Sequence, residues 1–444
     1  MGKPVVAVVG RPNTGKSSLF NAIAGEPIAI VKDTPGVTRD RIYADCEWLA
    51  NAFTLVDTGG IEPDSKDQML ASMREQAEIA IETADVIIFL TDVRTGVTDA
   101  DYKVADMLRR SRKPVVLAVN KVDNFLSMQN DVYEFYNLAM GDPIPLSATS
   151  KLGLGDLLEA VAAKFPHFDQ TEEEEDDRPH VAVIGKPNVG KSSIINRLLG
   201  ENRVIVSDIA GTTRDAIDTV VVHKDTEYVL IDTAGLRRKS RIREELERYS
   251  IIRTVSAVER ADVVIMVIDA SEGVTEQDAK IAGIAHERGK GIVVAVNKWD
   301  AVEKNDRTMR EFTDKIRQTL SFMPYAEFLF LSAKTGQRME KLFDLIDMVR
   351  SSQTLRVRTG VLNEIIAEAT VLKQPPSDKG KRLKIFYGAQ VAVKPPTFVL
   401  FVNDKELMHF SYLRYLENQI RGAFGFRGTM VRFLTRERKG KDEI

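Results

Sequence analysis

The chain has 444 residues, of which 43% are hydrophobic and 29% charged, and its formal net charge is −3. That length suggests roughly three domains of about 150 residues each, and the hydrophobic share excludes a chain that is disordered as a whole. A single cysteine, Cys46, excludes a disulfide framework. No apolar run reaches the roughly 20 residues that span a bilayer, and the start resembles no signal peptide, so we expect a cytoplasmic protein without a membrane partner.

Charge is distributed unevenly along the chain. Residues 352–444 contain 17 Lys+Arg against 9 Asp+Glu, so the remainder is acidic. A basic region of this kind fits either a nucleic-acid contact or an ordinary solvated face. The acidic run from Glu172 to Asp177 (EEEEDD) predicts a linker, because six like charges repel one another.

The sequence repeats itself once. Val6–Gly60 aligns with Val181–Gly235 at a constant offset of 175 residues and without gaps. Solenoid units run about 20 to 50 residues, so this period has the length of a whole domain and indicates a tandem duplication. The acidic run lies between the two copies, where a linker belongs.

Short apolar runs separated by helical stretches make up each copy. The runs do not alternate with polar residues, which is typical of parallel strands covered on both faces. Each copy is therefore predicted to be an α/β domain with a doubly wound parallel sheet. The predicted strands are Val5–Val9, Phe53–Val56, Val86–Leu90 and Pro114–Asn120, then Val181–Ile184, Tyr228–Ile231, Val263–Ile268 and Ile292–Asn297.

The pattern changes after about Ser351 to a small α+β unit in the order α-β-β-α-β. Its predicted elements are Val361–Leu372, Leu383–Val393, Thr397–Val402, Ser411–Arg421 and Met430–Leu434. The predicted domains are 1–166 for the first α/β domain, 167–178 for the acidic linker, 179–351 for the second α/β domain and 352–444 for the C-terminal unit.

Two segments fit the phosphate-loop pattern G-x-x-x-x-G-K-[ST], GRPNTGKS at 10–17 and GKPNVGKS at 185–192. Each follows an apolar strand and opens a helix, whose backbone N–H groups can wrap phosphates. The lysine would reach the β- and γ-phosphates, and the first serine would hold Mg²⁺. The candidate residues are Gly10, Gly15, Lys16, Ser17 and Ser18, with Gly185, Gly190, Lys191, Ser192 and Ser193 in the second copy.

A D-T-x-G motif follows the next predicted strand in both copies. A strand-end aspartate can bind Mg²⁺ directly or through water, and the last glycine N–H can contact a γ-phosphate. The loop before it contains G-x-T-R-D, whose threonine could join Mg²⁺ only when the γ-phosphate is present; two ordinary threonine-rich loops are the alternative. The candidate residues are Thr38, Asp57 and Gly60, and then Thr213, Asp232 and Gly235.

The motif N-K-x-D selects the base. A carboxylate accepts two donors, which suits the N1–H and N2–H₂ edge of guanine, whereas adenine offers no such pair. The asparagine can bond the purine N7 side, the lysine stem can lie over the ring, and a Ser-Ala pair can support the base by backbone N–H. These residues are Asn120, Lys121, Asp123, Ser147 and Ala148, and then Asn297, Lys298, Asp300, Ser332 and Ala333.

Together these motifs resemble translation-factor-like GTPases, and the doubled arrangement resembles the bacterial EngA/Der family of double Era-like GTPases. The C-terminal run from Leu383 to Asp404 and the FRGT segment from Phe426 to Thr429 add to the resemblance. It implies hydrolysis of GTP to GDP and phosphate, association with the large ribosomal subunit and its rRNA, a role in subunit assembly, and a KH-like C-terminal domain. We expect a monomer with no DNA partner.

Hydrolysis cannot follow the Ras pattern, because Ile61 and Leu236 stand where Ras-type enzymes have a water-orienting glutamine. GTPases of the resembled group can instead use K⁺ held partly by a phosphate-loop asparagine, which offsets developing charge. The alternative is that this asparagine only braces its own loop. The candidate catalytic residues are Asn13, Lys16 and Thr38, and then Asn188, Lys191 and Thr213.

Two other functions stay open at this point, a GTPase partner of an RNA-modifying enzyme and a nucleotide-gated RNA-binding scaffold. Residues 422–425 (GAFG) formally match the GXXG clamp of KH domains, but a predicted strand rather than a helix follows them, which favours a helix C-cap and turn. RNA could instead contact the basic residues Lys379, Lys381, Arg382, Lys384, Arg432, Arg436, Arg438 and Lys439.

Overall fold

The computed structural model describes residues 3–24, 43–49, 51–58, 76–165, 176–201, 203–205, 218–232, 246–378 and 380–437. These residues divide between two compact units. The first unit contains the described residues up to Asp176 together with 246–259, and the second contains 177–232 and the residues from Arg260 onward. Within these described ranges, no helix is both long and apolar enough to cross a membrane.

A six-stranded sheet forms the centre of the first unit, in the order β2-β3-β1-β4-β5-β6. Its strands are β1 Val5–Gly10, β2 Tyr43–Trp48, β3 Asn51–Asp57, β4 Val86–Asp92, β5 Val115–Asn120 and β6 Ile144–Pro145. The helices are α1 Lys16–Ala24, α2 at residues 76–83, α3 Asp99–Ser111, α4 Phe125–Tyr133 and α5 Leu154–Ala162. All strand pairs are parallel except β2 with β3.

Both faces of this sheet are covered, as the apolar strands predicted. Val6 and Val8 of β1 face a cluster that contains Leu19 of α1 and residues of α5. Ala7 and Val9 of the same strand face the opposite cluster, which contains residues of α2 and α3. Because successive side chains of a strand point to opposite faces, a strand covered on both sides is apolar throughout.

The second unit repeats this architecture in a seven-stranded sheet of order β13-β12-β11-β7-β10-β9-β8. Its strands are β7 His180–Ile184, β8 Arg203–Ile205, β9 Thr219–His223, β10 Thr226–Ile231, β11 Val263–Asp269, β12 Gly291–Asn297 and β13 Glu327–Phe330. Its helices are α6 Lys191–Glu201, α8 Glu276–Glu287, α9 Thr308–Thr319 and α10 Lys341–Thr354, whereas α7 Leu246–Arg260 belongs to the first unit up to Glu259.

The edge strands differ from the sequence prediction. Five strands at or next to the sheet edges were not predicted: β6 and β13 pair parallel with their neighbours, and β2, β8 and β9 form antiparallel pairs. β2 is half-exposed and mixed in sequence, so it lacks the apolar signature of a strand buried on both faces, and the valines of β9 form only a short run in a half-exposed strand. Each sheet is therefore mostly parallel, with an antiparallel edge.

The C-terminal segment adopts the predicted order α-β-β-α-β, with an additional pair of two-residue strands after the first helix. Its elements are α11 Thr359–Leu372, the small strands β14 Ser377–Asp378 and β15 Lys381–Arg382, β16 Ile385–Ala392, β17 Thr397–Val402, α12 Phe410–Phe424 and β18 Arg432–Glu437. β17 pairs antiparallel with β16 and parallel with β18. Gly425 caps α12, since its N–H donates to the carbonyl of Arg421 at 2.8 Å. This confirms the helix C-cap interpretation of the GAFG segment.

Within the second unit, the C-terminal segment packs directly against the seven-stranded sheet. The backbone N–H of Ile292 donates to the carbonyl of Gly428 at 2.7 Å, and the N–H of Gly428 donates to the carbonyl of Tyr325 at 2.9 Å. The Arg427 guanidinium forms two hydrogen bonds with the Glu327 carboxylate, at 2.8 and 2.6 Å. The segment and the sheet thus share a hydrogen-bonded interface.

Gly428 is the tightest point of this interface. Its φ is +68°, and a Cβ atom there would lie 2.2 Å from Cγ2 of Val349. We expect Gly428→Ala to destabilise the second unit by about 1 to 3 kcal/mol, since the new methyl group overpacks the contact. Urea unfolding measures this. Gly422→Ala is the matched control, because nothing lies within 4 Å of a Cβ there; equal unfolding midpoints for the two variants would contradict the assignment.

Candidate functional site

Each phosphate-loop segment connects a buried strand to a helix, as predicted. In the first copy the Lys16 ammonium donates to the carbonyls of Gly10 at 2.8 Å and Arg11 at 2.7 Å. In the second copy Lys191 donates to the carbonyls of Gly185 and Lys186, both at 2.5 Å. Both lysines are buried. The ammonium groups therefore lie against the backbone of their own loops, where phosphates would meet them.

A buried asparagine ties each loop to the rest of its site. Asn120 Nδ2 donates to the carbonyl of Thr14 at 2.7 Å, and its Oδ1 accepts the N–H of Ala148 at 3.0 Å. The sequence motifs predict that this amide bonds the purine and that the Ala148 N–H supports the base. In the structure the two groups bond each other, which joins the phosphate loop, the N-K-x-D motif and the Ser-Ala loop.

The second copy contains the same cross-link. Asn297 Nδ2 donates to the carbonyl of Val189 at 2.9 Å, and Oδ1 accepts the N–H of Ala333 at 3.0 Å. Gly190 has φ +100°, and a Cβ there would lie 2.2 Å from Asn297 Nδ2. The second glycine of the phosphate loop is thus required both for its backbone conformation and for the close approach of the asparagine.

The lysine of the N-K-x-D motif is held by an aspartate that none of the sequence motifs includes. Lys121 Nζ lies 2.6 Å from Asp92 Oδ2 and donates to the carbonyl of Asn13 at 2.7 Å. Lys298 forms the equivalent ion pair with Asp269. Both aspartates end a fully buried strand. Their position at the carboxyl edge of a parallel sheet was the signal that could have identified them.

The predicted Mg²⁺ ligands of the first copy lie together. Ser17 Oγ donates to Asp57 Oδ2 at 3.0 Å, and Asp57 is buried at the end of β3. Hydroxyl and carboxylate oxygens are the donor set that Mg²⁺ prefers, so these residues fit the ion. In the second copy Asp232 has φ +56°, and its backbone N–H donates to Asp218 Oδ1 at 3.0 Å. Four other predicted residues lie outside the described ranges: Thr38, Gly60, Thr213 and Gly235.

The carboxylates predicted to read the base are exposed and bonded to serine. Ser147 Oγ donates to Asp123 Oδ1 at 2.8 Å. This bond, followed by one from Arg94, holds the pKa of Asp123 below its usual value. A hydrogen bond from Ser332 is the main cause of the lowered pKa of Asp300. Both groups are therefore carboxylates at neutral pH, which is the form that accepts two donors.

The second residue of each phosphate loop anchors it to a neighbouring helix. Arg11 Nε lies 2.8 Å from Asp101 Oδ1, and Lys186 Nζ lies 3.3 Å from Asp278 Oδ2. Each aspartate belongs to the capping box of its helix, α3 or α8. The loops are thus positioned by side chains as well as by the strand and helix that flank them.

Family models match three parts of the chain. Residues 5–121 and 180–298 each match a family described as 50S ribosome-binding GTPase. Residues 356–436 match a family described as the KH-domain-like C-terminal part of EngA bacterial GTPase enzymes. These matches agree with two GTPase folds followed by a KH-like domain.

Full-length relatives agree with these matches. The GTPase Der of Lachnoclostridium phytofermentans is 72% identical over 442 residues, which cover 100% of both chains. That of Lachnospira eligens is 70% identical over 442 residues, again with 100% of each chain covered. That of Alkaliphilus oremlandii is 61% identical with the same coverage.

Lys16 is expected to make nucleotide binding at the first loop pH-dependent. Burial lowers the pKa of Lys16 to about 8, against the opposing effect of Asp57. Phosphates bind the protonated ammonium, so the affinity for GDP should fall about tenfold from pH 7 to pH 9 as the free protein loses this proton. Calorimetric titration of the full chain carrying Lys191→Ala, which disables the second loop, measures the affinity.

Guanosine is the matched control for that titration. It has the same ionisable base as GDP but brings no phosphate to Lys16. A ratio of GDP to guanosine affinity that stays constant over this pH range would contradict the proposed titration of Lys16.

Proposed function

This chain belongs to the GTPase Der family and hydrolyses GTP, and from that premise we propose that both copies bind guanine nucleotide and control association with the large ribosomal subunit. The observation that carries the proposal is the repeated constellation. A buried lysine in the phosphate loop, a buried asparagine cross-link and an exposed base-reading carboxylate occur in each copy. Two sites built from the same contacts argue against one degenerate copy.

In each site, different residues bind different parts of the nucleotide. Lys16 and Lys191 exchange their loop carbonyls for the β- and γ-phosphates, and the N-termini of α1 and α6 add backbone donors. Asp123 and Asp300 accept the donor edge of guanine. Thr38 and Thr213, with Gly60 and Gly235, respond to the γ-phosphate. Hydrolysis removes that phosphate and so ends the state that favours association.

Mg²⁺ would be held by Ser17 and Asp57 in the first site and by Ser192 and Asp232 in the second. When bound, the ion neutralises charge on the β- and γ-phosphates. The pairing of Ser17 Oγ with Asp57 Oδ2 at 3.0 Å supports this assignment in the first copy.

We also propose that K⁺ assists hydrolysis through Asn13 and Asn188. Both side chains are exposed and both residues have φ +64°. Asparagine is among the few residues other than glycine that tolerate this conformation. The backbone thus explains why asparagine fits there, and the exposed carboxamides leave an oxygen accessible to a cation.

Hydrolysis rates in potassium and sodium buffers test the cation. We expect the rate to be at least about tenfold higher in potassium, because K⁺ would offset charge that develops between the phosphates. Asn13→Ala in the Lys191→Ala chain and Asn188→Ala in the Lys16→Ala chain should each remove the potassium effect while retaining GDP binding. Equal rates in the two salts would overturn the K⁺ proposal.

The ribosomal partner is supported by the family description and by the charge of the C-terminal unit. Lys381, Arg382 and Lys384 are exposed and lie in or beside the β15 strand. Arg432, by contrast, donates Nη2 to the carbonyl of Glu287 at 2.9 Å and is half-buried. Of the remaining basic candidates, Arg436 is exposed, and Lys379, Arg438 and Lys439 lie outside the described residues. The three exposed residues around β15 are therefore the strongest candidates for contacts with rRNA phosphates.

Sedimentation with ribosomal subunits tests this partner. We expect the full chain to sediment with the large subunit in a slowly hydrolysed GTP analogue but not in GDP. Replacing Lys381, Arg382 and Lys384 together by Ala should weaken association and reduce the salt slope by about two to three. Replacing Lys103, Arg110 and Lys164 by Ala removes equal charge from the first unit and serves as the control. No association in either nucleotide would overturn the ribosomal proposal.

We propose the domain division 1–166, 167–178, 179–351 and 352–444 for this function. The family matches at 5–121, 180–298 and 356–436 support it, because each falls within one of the proposed domains. In this proposal the protein acts as a monomer in the cytoplasm.

A further inference from the structure

The two copies share a turn after the strand that ends in aspartate. In the first copy Asp92 Oδ1 accepts the backbone N–H of Arg94 at 3.0 Å, while Oδ2 pairs with Lys121. In the second copy Asp269 Oδ1 accepts the backbone N–H of Ser271 at 2.9 Å, while Oδ2 pairs with Lys298. The backbone of the turn is thus held in the same way in both sites.

The side chain two residues after the aspartate differs. Ser271 Oγ donates a hydrogen bond to Asp269 Oδ1 at 2.6 Å, within its own turn. Arg94 reaches across to the neighbouring motif, and its Nη2 donates to Asp123 Oδ2 at 2.6 Å. In the first copy, therefore, the turn contacts the carboxylate that reads the base, whereas in the second copy the serine is engaged locally.

The phosphate loop is hydrogen-bonded to the turn that carries Arg94. Arg11 Nη2 donates to Thr95 Oγ1 at 2.8 Å, and its Nε pairs with Asp101. The turn from Asp92 to Thr95 is therefore tied to the loop at one end and to the strand at the other. Arg94 emerges from a fixed backbone and can release Asp123 by rotating its side chain.

A chemical likeness connects the arginine with the base. The N1–C2–N2 edge of guanine is itself a guanidine fragment, so arginine offers Asp123 the same kind of donors. With Ser147 on Oδ1 and Arg94 on Oδ2, both oxygens of Asp123 already accept a hydrogen bond. Each oxygen can accept a second donor, as Oδ1 does when Ser147 stays bound, but the bulky guanidinium of Arg94 and a base that donates to Oδ2 compete for the same space.

We propose that Arg94 is a displaceable occupant of the guanine-reading carboxylate in the first site, and that it lowers both the affinity of that site for guanine and its discrimination against bases without a 2-amino group. The proposal rests on the guanine-reading role of Asp123 proposed above. Hypoxanthine, the base of IDP, donates only from N1 and leaves one oxygen to Arg94. Guanine must displace the arginine, so the arginine penalises GDP more than IDP.

The expected change in nucleotide affinity is small because the Arg94 and Asp123 side chains are exposed to solvent. The side chains of Arg94 and Asp123 are 61% and 45% exposed, so water and salt screen their attraction. Exposed ion pairs of this kind change an equilibrium constant by up to about fivefold. An ion pair this weak lets the base displace Arg94 from Asp123, so the site still binds nucleotide.

Calorimetric titration of GDP and IDP into the full chain carrying Lys191→Ala tests the proposal at the first site. Arg94→Ala should raise GDP affinity by about two- to fivefold at low salt and raise IDP affinity less. The gain should shrink at about 0.5 M NaCl, where the ion pair is screened. Arg110→Ala, which removes an exposed arginine from α3 of the same unit, is the charge control and should leave both affinities unchanged.

The second site provides the reciprocal experiment. In the full chain carrying Lys16→Ala, Ser271→Arg should lower GDP affinity by a similar factor, because it places a guanidinium two residues after Asp269. Unchanged or lower GDP affinity in Arg94→Ala, or equal gains for GDP and IDP, would overturn the role of Arg94.

Asp123→Asn separates this failure from failure of the proposed function. A shift of the first site toward xanthine nucleotides supports the base-reading role of Asp123, and an Arg94→Ala result without a gain then overturns the Arg94 proposal only. Retained guanine preference in Asp123→Asn overturns the base assignment and the Arg94 proposal with it.

Discussion

A buried carboxamide in each copy is the contact on which the nucleotide sites depend. Asn120 and Asn297 are 3% and 2% exposed, and each bonds a phosphate-loop carbonyl through Nδ2 and an alanine N–H through Oδ1. A carboxamide has one donor end and one acceptor end in a fixed plane, so both bonds form only when the two loops take one relative position. Burial makes an unpaired end costly, which specifies that position.

The parallel sheet makes this contact possible. Strands that run in the same direction end at the same edge, so residues from distant parts of the chain meet there. Gly10, Asp92 and Asn120 end β1, β4 and β5. Asp92 then pairs with Lys121, which in turn bonds the phosphate loop. Because the sheets share a strand order apart from the additional strand β8, the second copy forms the Asp269–Lys298 ion pair and the Asn297 cross-link from its own strand ends.

The buried strands could be predicted because burial on both faces leaves a local signature, an uninterrupted apolar run. The edge strand β2 could not, since a half-exposed strand of mixed composition resembles a loop. The packing partner of α7 could not be predicted from the sequence for a different reason. Ile252 of this helix packs with Val5, Val56 and Ile79 in the first unit, although the helix follows β10 in sequence. A helical pattern shows which face is apolar, but not which surface covers that face.

Sequence determined the repeat, the phosphate loops, the N-K-x-D motifs and the order of the main C-terminal elements, because each depends on residue types at short, fixed spacings. Only the tertiary structure decided which donor meets which acceptor. It assigned the asparagine amides to the protein backbone, identified Asp92 and Asp269 as partners of the motif lysines, and placed Arg94 on Asp123. These choices depend on distances of a few ångströms between loops that lie tens of residues apart, and spacing along the chain does not contain those distances.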